Sequence, residues 1–157
     1  MRVSVTALLA MAVAVPLAAV GAALVTQHVL GMQPCPWCVL QRAIFVAIAI
    51  VALPGLLHQA WPRRASAALV FLLAGCGMAA ALWQHFVAAN SVSCNVTLAD
   101  RVVRGLGLDE LWPQVFAPYA SCAEAAVKLG GVPYEFYSLA LFMLLGALAA
   151  QALRKPV

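Results

Sequence analysis

Four apolar stretches, each near the roughly 20 residues needed to cross a bilayer, limit what this chain can fold into. They run over about 3–25, 39–57, 65–83 and 136–153. Hydrophobic residues make up 66% of the 157 positions and charged ones 9%, against about a quarter charged in a soluble domain. A water-soluble core of this size cannot hide so much apolar surface. The expectation is an all-α membrane protein. It would be one transmembrane domain over residues 1–157, a four-helix bundle with a short loop at 26–38 and a long one at 84–135. The first stretch carries Arg2 and small residues near Ala19–Ala22, as a signal peptide does. Its apolar run exceeds the usual h-region of about 7–15 residues, so it reads as a retained helix.

Basic residues set the orientation. Arg2, Arg63, Arg64, Arg154 and Lys155 occupy the N-terminus, the second connection and the C-terminus, with no acid beside them. Those segments are expected in the cytoplasm. The two loops at 26–38 and 84–135 then face outward. The net charge of +4 is a topology signal, and no nucleic-acid patch is seen in it.

One charge, Arg42, lies inside the four stretches. A charge at membrane depth is costly and by default a functional candidate; the alternative is an arginine that snorkels to the headgroups. One turn before it comes Cys35-Pro36-Trp37-Cys38. Proline favours the first helical position, which puts Cys35 at the N-cap and Cys38 in the first turn. The partial positive charge of a helix N-terminus favours thiolate. Four residues apart, Cys38 and Arg42 share a helix face.

Three chemistries compete for a CxxC pair. Structural zinc wants a second such pair or matched histidines, whereas Cys94 and Cys122 are far apart and His28 and His85 stand alone. No metal is expected. A purely structural disulfide across so small a ring staples little. Redox exchange is the favoured reading, and the outward side is where disulfides persist. Cys76, between Gly75 and Gly77 in the third stretch, is expected to pack between helices, as small residues do.

The long loop holds every acid of the chain, Asp100, Asp109, Glu110, Glu124 and Glu135. Leu108, Leu111, Trp112, Val115 and Phe116 have the spacing of one apolar helix face. Pro113 interrupts it, so a kinked or two-piece element is expected. It would lie on the membrane surface or pack on the bundle top.

Taken together these residues resemble the bacterial disulfide bond formation protein DsbB family. The likeness spans nearly the whole chain: Gln27-His28-Val29, Cys35 through Arg42, Leu82-Trp83-Gln84, Leu108-Asp109, Pro113 through Phe116, Ser121 through Glu124, and Pro133. It implies a multi-pass protein of the bacterial inner membrane that reoxidises a periplasmic DsbA-like thioredoxin-fold partner. Electrons would enter at Cys94 and Cys122, with Cys94 forming the mixed disulfide. They would pass to Cys35 and Cys38 and then to a quinone, ubiquinone or menaquinone, beside Arg42. The chain departs from the best-known relative at Val132 and Ala80, which stand where that relative has a methionine and a histidine near the quinone.

For the pairing so implied, closing the Cys94–Cys122 loop costs about 1.7 kcal/mol more chain entropy than closing CxxC. That makes the loop pair the stronger oxidant by roughly 35 mV, at about 30 mV per 1.4 kcal/mol. A Cys38 thiolate stabilised by about two pKa units offsets this by about 2.7 kcal/mol. Arg42 and the helix end are the groups placed to supply it.

Two other functions fit parts of the pattern. A quinone-linked thiol enzyme of the vitamin K epoxide reductase type also has a CxxC and a loop pair, but there the CxxC follows the loop pair. A non-catalytic membrane subunit would use its disulfides only as staples, which resist glutathione where relay pairs exchange quickly.

Overall fold

The computed structural model describes residues 4–57, 59–90 and 97–155. Four long helices, α1 (Val5–His28), α2 (Pro36–Ala52), α3 (Ala60–Phe86) and α7 (Tyr134–Arg154), form the bundle. Each is long and apolar enough to cross a membrane, α2 together with the 3₁₀ turn that continues it to Leu56. Neighbours around the bundle follow the ring α1–α2–α3–α7, and the α3–α7 seam is the most extensive. Leu17, Ile50, Leu72 and Met143 lie exposed on the outside, as suits side chains that face lipid. The expected all-α membrane architecture is therefore what the chain adopts.

The helices overrun the apolar stretches. α1 continues to His28, α2 begins at Pro36, and α3 spans Ala60–Phe86. Apolar length measures the hydrocarbon layer alone, and a helix extends beyond it wherever its ends are capped or its polar residues find partners. Ser4 caps α1, its oxygen accepting from Ala7 N–H at 3.1 Å. Cys35 is the N-cap of α2, with Pro36 at its first position, as the motif predicts. α2 closes in a 3₁₀ turn over Leu53–Leu56.

The main core stacks Phe45 of α2 on Phe142 of α7, ring centroids 4.1 Å apart, among Ile48, Val70, Ala74 and Leu145. Gly77 of α3 lets the Phe142 ring in, for a Cβ there would collide with it. Cys76, expected at a helix contact, instead points outward and is exposed. Successive residues of a helix lie about 100° apart, and Gly77 takes the packed position.

The long loop forms short elements at one end of the bundle: α4 (Leu98–Gly105), α5 (Leu108–Leu111), α6 (Pro113–Phe116) and a hairpin of β1 (Lys128–Leu129) and β2 (Val132–Pro133). α4 and the hairpin were not expected from the apolar pattern. Thr97 and Asp100 make a full capping box that starts α4. Gly130 and Gly131, at φ 59° and 86°, supply the left-handed turn of the hairpin. The break at Pro113 gives the two pieces α5 and α6. The supposed single face is split, with Val115 and Phe116 buried while Leu111 and Trp112 are 80% and 60% exposed.

Candidate active site

The end of the bundle that carries the long loop also carries the CxxC. Pro34, just before it, accepts hydrogen bonds from the amides of Tyr119 and Ala120, at 3.0 and 3.3 Å. These bonds dock the segment leading into Cys122 beside the start of α2. Ser121 and Glu124 brace the turn that follows, Glu124 Oε2 accepting from the Ser121 amide at 2.9 Å and from its hydroxyl at 2.7 Å.

Three sulfurs meet as a result. Cys35 is fully buried, and its Sγ lies 3.2 Å from that of Cys38. On its other side its thiol is hydrogen-bonded to Cys122, and Ala80, Ala88 and Ala99 pack around them. The bond from Cys35 comes first in lowering the Cys122 thiol below its ordinary pKa, aided by the Trp37 amide at the helix N-terminus and opposed by burial. Cys35 is raised correspondingly, first by its bond to Cys122, then by that to Cys38 and by burial. Thiolate character is thus directed to Cys122 within this pair. Cys94 lies outside the described residues.

Cys38 faces the other way, onto a cavity of about 260 Å³ bounded by α1, α2, α7 and the hairpin segment. That volume sits just under the ~300–1,000 Å³ of typical small-molecule pockets. Ala19, Phe45, Val127 and Leu141 give it apolar walls. Cys38, Gln41, Arg42 and Gln84 supply polar groups.

Arg42 does not snorkel. It is 6% exposed, and its Nη1 donates to Gln27 Oε1 at 2.6 Å and to the Val115 carbonyl at 3.1 Å. Nη2 reaches the Ala23 carbonyl at 3.4 Å. The guanidinium therefore ties α2 to α1 and to α6 while lining the cavity. Gln84 Nε2 donates to Cys38 Sγ at 3.2 Å, and Gln41 Nε2 donates to Gln84 Oε1 at 2.6 Å. This short chain of amides points a donor at the sulfur, which favours its thiolate form.

The sequence alone assigns no role to Gln27, Gln41 or Gln84. Their only signal there is polarity at the ends of apolar helices, Gln27 and Gln84 at C-terminal ends and Gln41 one residue before Arg42. Val132 is 42% exposed on β2, and the cavity wall is built from Val127 and Leu129 instead. Ala80 belongs to the cluster around Cys35, apart from the cavity wall.

Residues 5–152 match the family model described as Disulfide bond formation protein DsbB. Among curated proteins, the chain is similar to Disulfide bond formation protein B of Nitrosospira multiformis, at 30% identity over 85% of this chain and 82% of that one. It is 35% identical to Disulfide bond formation protein B 1 of Pseudomonas putida, over 84% and 80% of the two chains. With Disulfide bond formation protein B of Pseudomonas syringae pv. tomato it shares 34% identity over 89% and 86%. No solved structure matches.

Proposed function

We propose, from the premise that this chain belongs to the DsbB family of disulfide bond formation proteins, that it is a protein-disulfide:quinone oxidoreductase. It reoxidises a periplasmic DsbA-like thiol oxidase and delivers the electrons to a membrane quinone. The observation that carries this reading is the position of Cys35, whose sulfur touches Cys38 on one side and Cys122 on the other.

Cys94 and Cys122 form the outer pair in this scheme, and Cys94 exchanges with the partner's CxxC. The freed Cys122 thiolate attacks Cys35, displacing Cys38 from the inner disulfide; once the partner leaves oxidised, the Cys94 thiolate attacks Cys122, which re-forms the outer disulfide and releases Cys35 as a thiol. The Trp37 amide at the N-terminus of α2 still favours the Cys122 thiolate when Cys35 is held in its disulfide. As leaving group, Cys38 gains from the Gln84 amide and from Arg42, both of which line its side of the cavity. The cavity residues fit a quinone head: apolar walls for the ring, with Arg42 and Gln41 as donors for its oxygens. A bound quinone supplies an acceptor for two electrons. The protein's own groups hold it against Cys38, keep water from the sulfur and restore the inner disulfide. In this reading the basic residues, which favour the cytoplasmic side, lie inside with both termini, and the sulfurs lie in the periplasm of the bacterial inner membrane.

The test is anaerobic mixing of the purified protein with a reduced DsbA-like protein and ubiquinone or menaquinone. Quinol formed in proportion to oxidised partner is the expected result. Partner oxidation without quinol refutes the terminal step.

A further inference from the structure

Glu135 is the one carboxylate on the cavity wall among the described residues. It sits in the first turn of α7 and is 4% exposed. Its Oε1 lies 2.6 Å from Nδ1 of His85 on α3, whose side chain is 31% exposed. A glutamate is almost never this buried without a partner, and nothing in the sulfur relay uses this one. Arg42 spends its described bonds on Gln27, Val115 and Ala23.

From this arrangement we infer that His85 and Glu135 form a proton path from the outer surface to the cavity, used when a quinone is reduced there. The inference rests on the quinone reading above. Its geometry is a two-step ladder, with a partly exposed imidazole outside and a buried carboxylic group inside. One short hydrogen bond joins them. The imidazole is fixed by Phe86 and Phe136, with ring centroids at 4.9 and 4.6 Å. The other titratable groups on the cavity wall are Cys38 and Arg42 of α2 and Tyr134 and Tyr137 of α7. None of these joins the cavity to the surface through a described ion pair.

Forming the Cys35–Cys38 bond from two thiols releases two electrons and two protons, and hydroquinone is a quinone with both electrons and both protons added. A cysteine reacts as its thiolate, so the Cys38 proton has left for outside water before the bond forms. The Cys35 proton, donated across the 3.2 Å contact to the Cys38 sulfur on the cavity wall, supplies one quinone oxygen. The second oxygen receives a proton handed from His85 across the Glu135 carboxyl group, and outside water returns a proton to the imidazole. Net stoichiometry is unchanged.

The experiment uses the full chain in lipid nanodiscs, with ubiquinone-1 as the probe. Anaerobic reduction of ubiquinone-1 by the prereduced protein is followed against pH in wild type, Glu135→Gln and His85→Ala. Binding of ubiquinone-1 is measured separately by tryptophan quenching. Infrared difference spectra follow the carboxyl and carboxylate bands of Glu135. In both variants binding should be unchanged and reduction slowed about 100-fold, the usual weight of a positioned proton donor. Imidazole should restore the His85→Ala rate. A Glu135 signal should appear in the wild-type difference spectrum on reduction and be absent in Glu135→Gln. Wild-type rates and pH profile in Glu135→Gln overturn the inference. So does loss of binding in both variants, which would make the pair structural. Wild type that neither binds nor reduces ubiquinone-1 marks instead the failure of the quinone reading, and the inference falls with it.

Discussion

Arg42 serves two structures at once. Its guanidinium lines the cavity beside Cys38, and it also satisfies Gln27 and the carbonyl of Val115. Arg42→Met keeps the apolar stem and removes all of these bonds. Each buried acceptor left unpaired costs about 1–3 kcal/mol, so the variant should be less stable as well as slower. Reoxidation of the inner pair, measured across quinone concentrations, should lag wild type while both disulfides still form. Wild-type rates would contradict the assignment. Glu124 gives a pH signature. Hydrogen bonds from the Ser121 amide, then the Ser121 hydroxyl, hold its carboxyl below the usual glutamate range. A depressed folded value means the contribution is complete above the unfolded value, near pH 4.3. It is lost as pH falls through the lower folded value. Hydrogen exchange over residues 121–125 should therefore show the turn opening in acid, and Glu124→Gln should flatten that dependence. At this scale Arg42 is legible because a charge is rare in an apolar run, and Cys35 and Cys38 because a CxxC spacing with proline at a helix start is a local signal. The glutamines are not, because polarity at a helix end has the same look whether it meets solvent or a buried guanidinium.

Among the elements, the α3–α7 seam depends on one small residue. Gly77→Val should drive the Phe142 ring out of place and cost about 1–3 kcal/mol, the usual penalty of overpacking, read as a lowered Tm in detergent. Cys76→Val should leave Tm nearly unchanged, since Cys76 is exposed. The Gly75-Cys76-Gly77 string signals close approach without its phase; which of three neighbours faces inward is decided by the partner helix. α4 hangs on its capping box, in which Asp100 Oδ2 accepts from the Thr97 amide at 2.9 Å and Thr97 Oγ1 accepts from the Asp100 amide at 3.2 Å. Thr97→Ala should cost about 1 kcal/mol, seen as faster exchange of amides 98–104. Apolar spacing in so short a segment is a weak signal, and the cap is the stronger one. The Pro113 break is readable because a missing N–H is a local fact. The fate of Leu111 and Trp112 is set by how α5 and α6 turn relative to one another.

Across the whole molecule, the four spans are legible because lipid leaves backbone polar groups only the helix to satisfy them. What apolar length does not specify is how the long loop folds back. The bonds from Tyr119 and Ala120 to Pro34 are long-range backbone contacts, with no side-chain pattern to announce them. They bring Cys122 to Cys35 and so join a loop in water to a cavity among apolar helices. The central claim is that Cys35 is the single junction between the two. Disulfide mapping by mass spectrometry, after mild oxidation of a Cys38→Ser, Cys94→Ser double variant, tests it most directly. A Cys35–Cys122 bond is the predicted product. Recovery of Cys35 and Cys122 as separate thiols, or of Cys122 bonded to Cys76 or to a second molecule, would contradict it.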